Sequence, residues 1–360
     1  MRVVDLRSTA DVPPPTVDVL ASSAAELARL VGTLLADDPA AFDVGVDRVA
    51  AVRERVPADL LDAARRVAGG DDKAFLVLAL LAGELPPPGD VAQLLAALRD
   101  DPSLAWRAVL AHHAQAVEGT PGELLPRIVE GDPTAVADLR ELVEQAPCPA
   151  SVEALLSQPP EVFGTEVADV LERFEEAIWP DLEAEAMGPI HRDVAHRRQQ
   201  LGDGAEPAAV VVEATNGYEL TDDPQVERVV LLPSYWFRPW LVIARRRIGD
   251  HEVEYISTAV ADEFLALPKE APTPSLLRLF KALSDEGRLK LLRRMSSGPI
   301  SLAEATGELE VAKATAHHHL SILRQAGLVT IRGEGRAKRY ALREDAADAA
   351  HQALAGYVRP

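Results

Sequence analysis

The spacing of apolar positions changes character twice along the 360 residues. From residue 16 to about 200, apolar residues recur every three or four positions between Pro, Gly and Asp breaks, the period of helices packed on a core. Leu27, Leu30, Val31 and Leu34 form one such stripe. Residues 75–82 (FLVLALLA) are apolar on every side, which predicts a helix buried all round. LPPPGD at 85–90 stops it before another helix starts at Val91. Residues 165–201 read as one long helix or two, broken near Gly188–Pro189. From 206 to 260 the segments become short and rich in Val, Ile and Leu: 210–214, 226–233, 240–247 and 252–259. Asn216–Gly217 and Gly249–Asp250 fall beside such segments and suit two-residue hairpins. LPKEAPTPS at 267–275 carries three prolines and reads as a linker.

The predicted fold class is therefore mainly α with a small antiparallel sheet (α+β) in an N-terminal domain, followed by a separate C-terminal domain. The expected division is a helical part at 1–205, a β part at 206–262, a Pro-rich linker at 263–275 and a C-terminal domain at 276–360. Within the last, 276–283 is a short amphipathic helix. Asp285 can cap a second, with Leu289, Leu291 and Leu292 as apolar contacts. Ser301 followed by Glu304 is a capping-box pair opening a third helix. A tight turn leads to a fourth helix at 312–326. Residues 328–332 and 336–342 form a hairpin about Gly333–Gly335, with basic residues at most positions that are not apolar. Two short helices, a tight turn and a basic hairpin spell a winged helix-turn-helix.

The segments LFKALSDEGRLKLL (279–292), SLAEATGEL (301–309), HHHLSILRQAGLV (317–329) and GEGRAKRYAL (333–342) resemble the arsenical-resistance-repressor (ArsR) type of bacterial transcription regulator. The resemblance implies a DNA-binding regulator, a homodimeric repressor reading a pseudo-palindrome, with 276–283 and 344–357 at the dimer contact. Two positions depart from the pattern: Glu310 stands where the family's turn often has Gly, and Ala312 where a Ser usually caps the recognition helix.

Three consecutive histidines, His317, His318 and His319, raise the question of a metal. At 100° per residue, Ala316, Leu320 and Leu323 share the core stripe, and Ala314, His318 and Ser321 lie opposite. Lys313, His317 and Arg324 fall on one flank, and His319 on the other, near the buried edge. The three imidazoles diverge, whereas helical chelation uses i,i+4 pairs. No metal site is expected. The family's metal sensors use Cys in the third helix or Asp/His sets in the last. Here 301–309 has no Cys, and the last helix offers only Asp345, Asp348 and His351. By position in the family pattern, Lys313, Ala314, Thr315, His317 and His318 are the DNA-contact residues, flanked by Ser321 and Arg324. Arg332, Arg336, Lys338 and Arg339 are expected to grip phosphates or the minor groove from the wing. The plainer reading is that His319, or His318 and His319 together, only pack and cap within the fold and that the wing charges are a solvated hairpin edge.

Charge sharpens this division. Residues 271–360 hold 14 Lys+Arg against 9 Asp+Glu, and the first 270 hold 23 against 48. A mildly basic module rides on an acidic one, as a polyanion-binding tail would. Cys148 is the only cysteine, so neither an internal disulfide nor a thiolate cluster forms. The N-terminal residues carry no secretion signal, and the longest apolar run is too short to span a bilayer. A cytoplasmic, nucleoid-associated protein is expected, with double-stranded DNA and a second copy of itself as partners and no membrane.

Residues 178–202 and 233–245 resemble long regulators of the same class, and that resemblance carries no ligand. Tyr235, Trp236, Phe237 and Trp240 put four of sixteen aromatics into six positions. They line a pocket for a small-molecule effector, or they are core or dimer seam. His191, Arg192, His196, Arg197 and Arg198 form a basic patch that meets an acidic ligand or pairs with nearby carboxylates. No GxSxG, GxxxxGK[ST] or HExxH is present, so no catalytic residues and no cofactor are expected. Two other classes stay open: a protein-interaction module, which needs no basic wing, and an enzyme with a fused DNA-binding tail, which needs a titratable cluster in a pocket of the first 260 residues.

Overall fold

The computed structural model describes the chain except residues 1–13, 70–72, 88, 115, 116, 118, 119, 122, 146–149, 221, 222, 224, 249, 250, 269, 335, 336 and 360. The expectations for Cys148, Gly249–Asp250, Gly335 and Arg336 fall outside the described residues.

A short strand that the sequence pattern did not reveal, β1 (Thr16–Val19), leads into α1 (Ser23–Leu35). Ser22 fixes the start of α1 by accepting from the Ala25 N–H at 3.1 Å, a cap whose loss costs about 1 kcal/mol. α1 is buried on every side, Glu26 and Arg29 included, and is the hub of the N-terminal body. It packs on α2 (Val46–Arg53), α3 (Ala58–Ala68), α4 (Lys73–Ala82), α5 (Val91–Asp100) and α10 (Pro160–Ala177). An outer group of α6 (Leu104–Ala114), α7 (Leu124–Glu130), α8 (Pro133–Gln145) and α9 (Ala150–Ser157) joins α4 and α10 through α6. The break after α10 lies at Ile178, earlier than expected, and α11 (Trp179–Gly202) runs straight through Gly188–Pro189. Pro180 stands in the first turn of α11, where its missing N–H is no loss. Pro189 costs the helix one internal donor and is buried.

Residues 210–214 are not a strand. They lie in α12 (Pro207–Thr215), which buries Val210, Val211 and Ala214. Pro207 begins the helix, and Asn216, in the left-handed region at φ 55°, ends it. The Gly217 N–H donates to the Val212 carbonyl at 2.8 Å and the Asn216 N–H to the Glu213 carbonyl at 3.2 Å, closing a Schellman motif. Asn216–Gly217 is thus a helix stop, and the expected hairpin there does not exist.

The strands β2 (Tyr218–Glu219), β3 (Val226–Ser234), β4 (Val242–Ile248) and β5 (His251–Ala259) follow. The first sheet has the order β1-β3-β5-β4. Only β4 and β5 pair antiparallel; β1 with β3 and β3 with β5 pair parallel, so the expected antiparallel sheet is mixed. The cause is double-sided burial. Val229, Val230, Leu231 and Leu232 are all 0% exposed, the continuous apolar run of a strand covered on both faces. Val230, Leu232 and Tyr255 meet Leu80 of α4 on one side, while Val229, Leu231 and Ile256 join the main core on the other.

The C-terminal body has its own core, drawn from residues 279–346. Its elements are α13 (Pro274–Leu283), α14 (Glu286–Met295), β6 (Ile300–Ser301), α15 (Leu302–Leu309), α16 (Lys313–Gln325), β7 (Val329–Glu334), β8 (Ala337–Leu342) and α17 (Ala346–Val358). Its sheet has the order β2-β7-β8-β6, so the N-terminal body contributes one strand to it. The bodies also meet at a buried charged knot. Arg278 of α13 pairs with Asp43, which Arg238 approaches at 3.5 Å, and Asp262 accepts from both Arg238 and the Ser275 N–H.

Candidate nucleic-acid interface

The helix-turn-helix of the C-terminal body starts from caps. Asp285 accepts from the Arg288 N–H at 2.9 Å and starts α14. Ser301 and Glu304 form the expected capping box at the start of α15, with Glu304 N–H to Ser301 Oγ at 3.2 Å and Ser301 N–H to Glu304 Oε2 at 2.7 Å. The turn to α16 passes through Glu310 at φ 53°, a left-handed position where a side chain costs about 1 kcal/mol relative to Gly. Ala312 sits at the N-cap of α16 and offers no side-chain acceptor. The first N–H groups of α16 therefore point outward with no side chain capping them, at the positive end of the helix dipole.

Ala316, Leu320 and Leu323 are 0% exposed and seat α16 on the core. Lys313, Ala314, Thr315, His317 and His318 are exposed together on the opposite side, and Ser321 is half-buried beside them. Partial desolvation of its ring against the fold holds the otherwise exposed His317 imidazole below its ordinary pKa, and the ammonium of Lys338 on β8 and His318 add to that. His319 turns inward, with Nδ1 3.7 Å from the Asp285 carboxylate. The three rings diverge.

The wing residues separate. Lys338 is exposed. Arg332 is exposed, and its Nε lies 2.9 Å from Glu219 Oε2. Arg339 donates to Glu304 Oε2 at 3.0 Å and to the Pro299 carbonyl at 3.1 Å, bracing the start of α15. Arg324 corrects the expectation outright. It is 6% exposed and donates Nη1 to the Thr215 carbonyl at 2.8 Å. Burial pushes its guanidinium down to about 10. The helical wheel placed it on a flank that an isolated winged helix would leave open; here the end of α12 covers that flank. Residues 215–219, Asp43 and Arg278 were not anticipated at the head, because nothing local marks a seam between distant segments.

The aromatic cluster is core. Trp236 is 0% and Phe237 6% exposed, and Phe237 and Trp240 pack round Phe42 at centroid distances of 5.8 and 6.5 Å. Tyr235 donates its hydroxyl to Glu185 at 2.9 Å. Trp240 also lines a small space of about 20 Å³ beside Arg278 and Arg324. A crevice of about 320 Å³ lies elsewhere, at the carboxyl ends of β1 and β3. Leu20, Leu232, Ala82 and Val194 form its apolar floor, and His191 and Arg198 stand at its edge. It adjoins an open cleft of about 650 Å³ that shares Ala21 and His191. Of the basic patch on α11, Arg197 pairs with Asp193 and Glu213, and Arg192 and Arg198 donate to the carbonyls of Phe264 and Val19.

Comparison with known proteins locates the same segment. A family described as a helix-turn-helix domain matches residues 283–332. The HTH-type transcriptional regulator YceK of Bacillus subtilis is 41% identical over 70 residues, 19% of this chain and 70% of that protein. A cadmium resistance transcriptional regulatory protein CadC homolog of Staphylococcus aureus is 34% identical over 80 residues, 22% of this chain and 65% of that protein. The biofilm growth-associated repressor of Agrobacterium fabrum is 32% identical over 92 residues, covering 24% of this chain and 79% of the repressor. Among solved structures, the repressor BigR of Xylella fastidiosa matches at 30% identity over 23% of this chain and 83% of its own, with a TM-score of 0.19.

Proposed function

Since this chain belongs to the ArsR-type winged helix-turn-helix regulators through its C-terminal body, we propose that it is a homodimeric repressor that reads a pseudo-palindromic duplex and is tuned by its N-terminal body. The observation that carries this is the exposed face of α16, where Lys313, Ala314, Thr315, His317 and His318 stand clear of the core beside uncapped helix N–H groups. The major groove admits one helix, and donors of this kind meet phosphate and base edges there. Ala314 and the Thr315 methyl suit a thymine methyl; Lys313 suits guanine or phosphate. Lys338, beside His317, extends the positive face to the wing. Ser321 sits at the margin of this face, and Arg336 belongs to the wing by sequence position alone.

The dimer contact falls on α13 and α17, which pack together and leave Leu277, Phe280, Leu354, Tyr357 and Val358 between 39% and 58% exposed. An apolar patch of this kind on a protein of ordinary surface marks an association site. Two recognition helices would then meet half-sites about one helical turn apart. The effector in this reading is not a metal ion, since α15 has no cysteine to ligate one. A small organic effector would enter the crevice beside His191 and Arg198, in the cytoplasm where the regulator meets the nucleoid. It acts only if it prefers one spacing of the two heads.

The test is selection from a random duplex pool with the full-length protein. The expected result is enrichment of two inverted half-sites. Retention of all sequences alike would overturn the reading.

A further inference from the structure

The wing of the C-terminal body is completed by a strand that the rest of the chain lends it. β2 pairs parallel with β7 in the register Tyr218 to Ile331 and Glu219 to Arg332. The Ile331 N–H donates to the Gly217 carbonyl at 2.7 Å. Gly217 adopts φ 108°, and a Cβ there would stand 2.9 Å from the Val329 carbonyl, so only glycine permits the approach. The same short segment grips the end of the recognition helix. Asn216 Nδ2 donates to the Gln325 carbonyl at 3.2 Å, and Arg324 donates to the Thr215 carbonyl at 2.8 Å.

Its other side is anchored in the N-terminal body. The Tyr218 hydroxyl, buried, donates to Glu254 of β5 at 3.0 Å, and Thr215 Oγ1 accepts from the Tyr218 N–H at 2.9 Å. Five consecutive residues, 215–219, therefore touch α16, β7 and the mixed sheet at once.

We propose that residues 215–219 are part of the DNA-reading head and that Glu219 is a positioning residue holding Arg332 away from the phosphate backbone. Two facts favour a hold that can be released. The pair is an exposed one, with Arg332 at 67% and Glu219 at 31% side-chain exposure, and exposed pairs are weak and screened by salt. And Arg332 sits opposite Glu219 in the strand ladder, so the carboxylate stays beside it for as long as β2 stays on β7. Movement of α12 that peels β2 away would free one cation on the wing and tilt the end of α16 in the same step. The N-terminal body then sets affinity without touching DNA. This rests on the proposed DNA-binding function, and the experiment separates the two.

The affinity of the full-length protein for a random-sequence duplex is measured over a salt series for wild type, Arg332→Ala, Glu219→Gln and the double variant. Each neutralised phosphate adds about 0.9 to the slope of log K against log salt. The expected result is an unchanged slope for Arg332→Ala, a slope steeper by about 0.9 for Glu219→Gln, and a return to the wild-type slope in the double variant. A merely structural role for Glu219 would change affinity without changing the slope. Gly217→Val provides an independent arm: exchange of the Ile331 amide should quicken and the slope steepen as for Glu219→Gln. If Arg332→Ala flattens the slope equally in both backgrounds, or Glu219→Gln leaves it unchanged, the assignment is overturned. Absence of binding by all the proteins would instead remove the DNA-binding function beneath it.

Discussion

Arg324 separates what a helical wheel says from what the fold does. Its guanidinium is 6% exposed, donates to one carbonyl at 2.8 Å and, among the described residues, pairs with no carboxylate; its titratable neighbours are the Tyr340 phenol, kept neutral by burial, and the Arg278 guanidinium. Arg324→Ala removes a charge-assisted hydrogen bond and leaves the Thr215 carbonyl buried without it, a loss of about 1–3 kcal/mol. Arg324→Met keeps the aliphatic packing and sheds the burial of an unpaired cation, so it should cost less. The seam location also predicts how the loss is distributed. All four tryptophans, at 106, 179, 236 and 240, belong to the N-terminal body. Urea unfolding followed by tryptophan emission reports that body, whereas far-ultraviolet circular dichroism reports both. In Arg324→Ala the dichroism transition should begin at lower urea than the emission transition, because the C-terminal body has lost part of its docking. The salt slope of DNA binding should stay as in wild type. Unchanged stability together with a flattened slope would place Arg324 on DNA and refute the reasoning.

Lys313→Ala should cost about 1–3 kcal/mol at the selected site if the ammonium reads a base, while an equal loss on all duplexes would assign it to phosphate. Phe280→Asp should turn a dimer into a monomer in sedimentation without loss of helix content; an unchanged dimer would move the interface off α13 and α17. Because burial and Lys338 depress the His317 pKa in the free protein, DNA binding that raises it takes up a proton. Affinity should then be lowest at high pH, climb as pH falls through the bound-state pKa, and level off below the free one, within about pH 5–8. His317→Gln should flatten that climb; an identical profile would exclude the imidazole.

Much of the head was legible because its signals are local. The Ser301–Glu304 pair, the Asp285 cap and the Ala316, Leu320, Leu323 stripe each lie within one or two helical turns, and each is found where the spacing put it. The mixed sheet was not legible. β1 pairs with β3 at Thr16 to Arg228, a contact across most of the N-terminal body that leaves no nearby pattern. The run Val229–Leu232 did carry a signal for double-sided burial, outweighed by turn residues that suggested hairpins. Val210–Val212 favoured a strand by propensity, yet Pro207 before it and Asn216–Gly217 after it are equally the start and stop of a helix, and packing chose the helix. The four aromatics at 235–240 could not be sorted into pocket or core, since composition is the same for both; Phe42, far off in sequence, decided it.

The central claim is that the outer face of α16 lies in the major groove. A photo-reactive side chain placed at Ala314, with Gln352 on α17 as the control, measures this on the selected duplex. The account predicts cross-links to bases of each half-site from position 314 and none from 352. Cross-links from 352 alone, or from neither position while the duplex is bound, would contradict it.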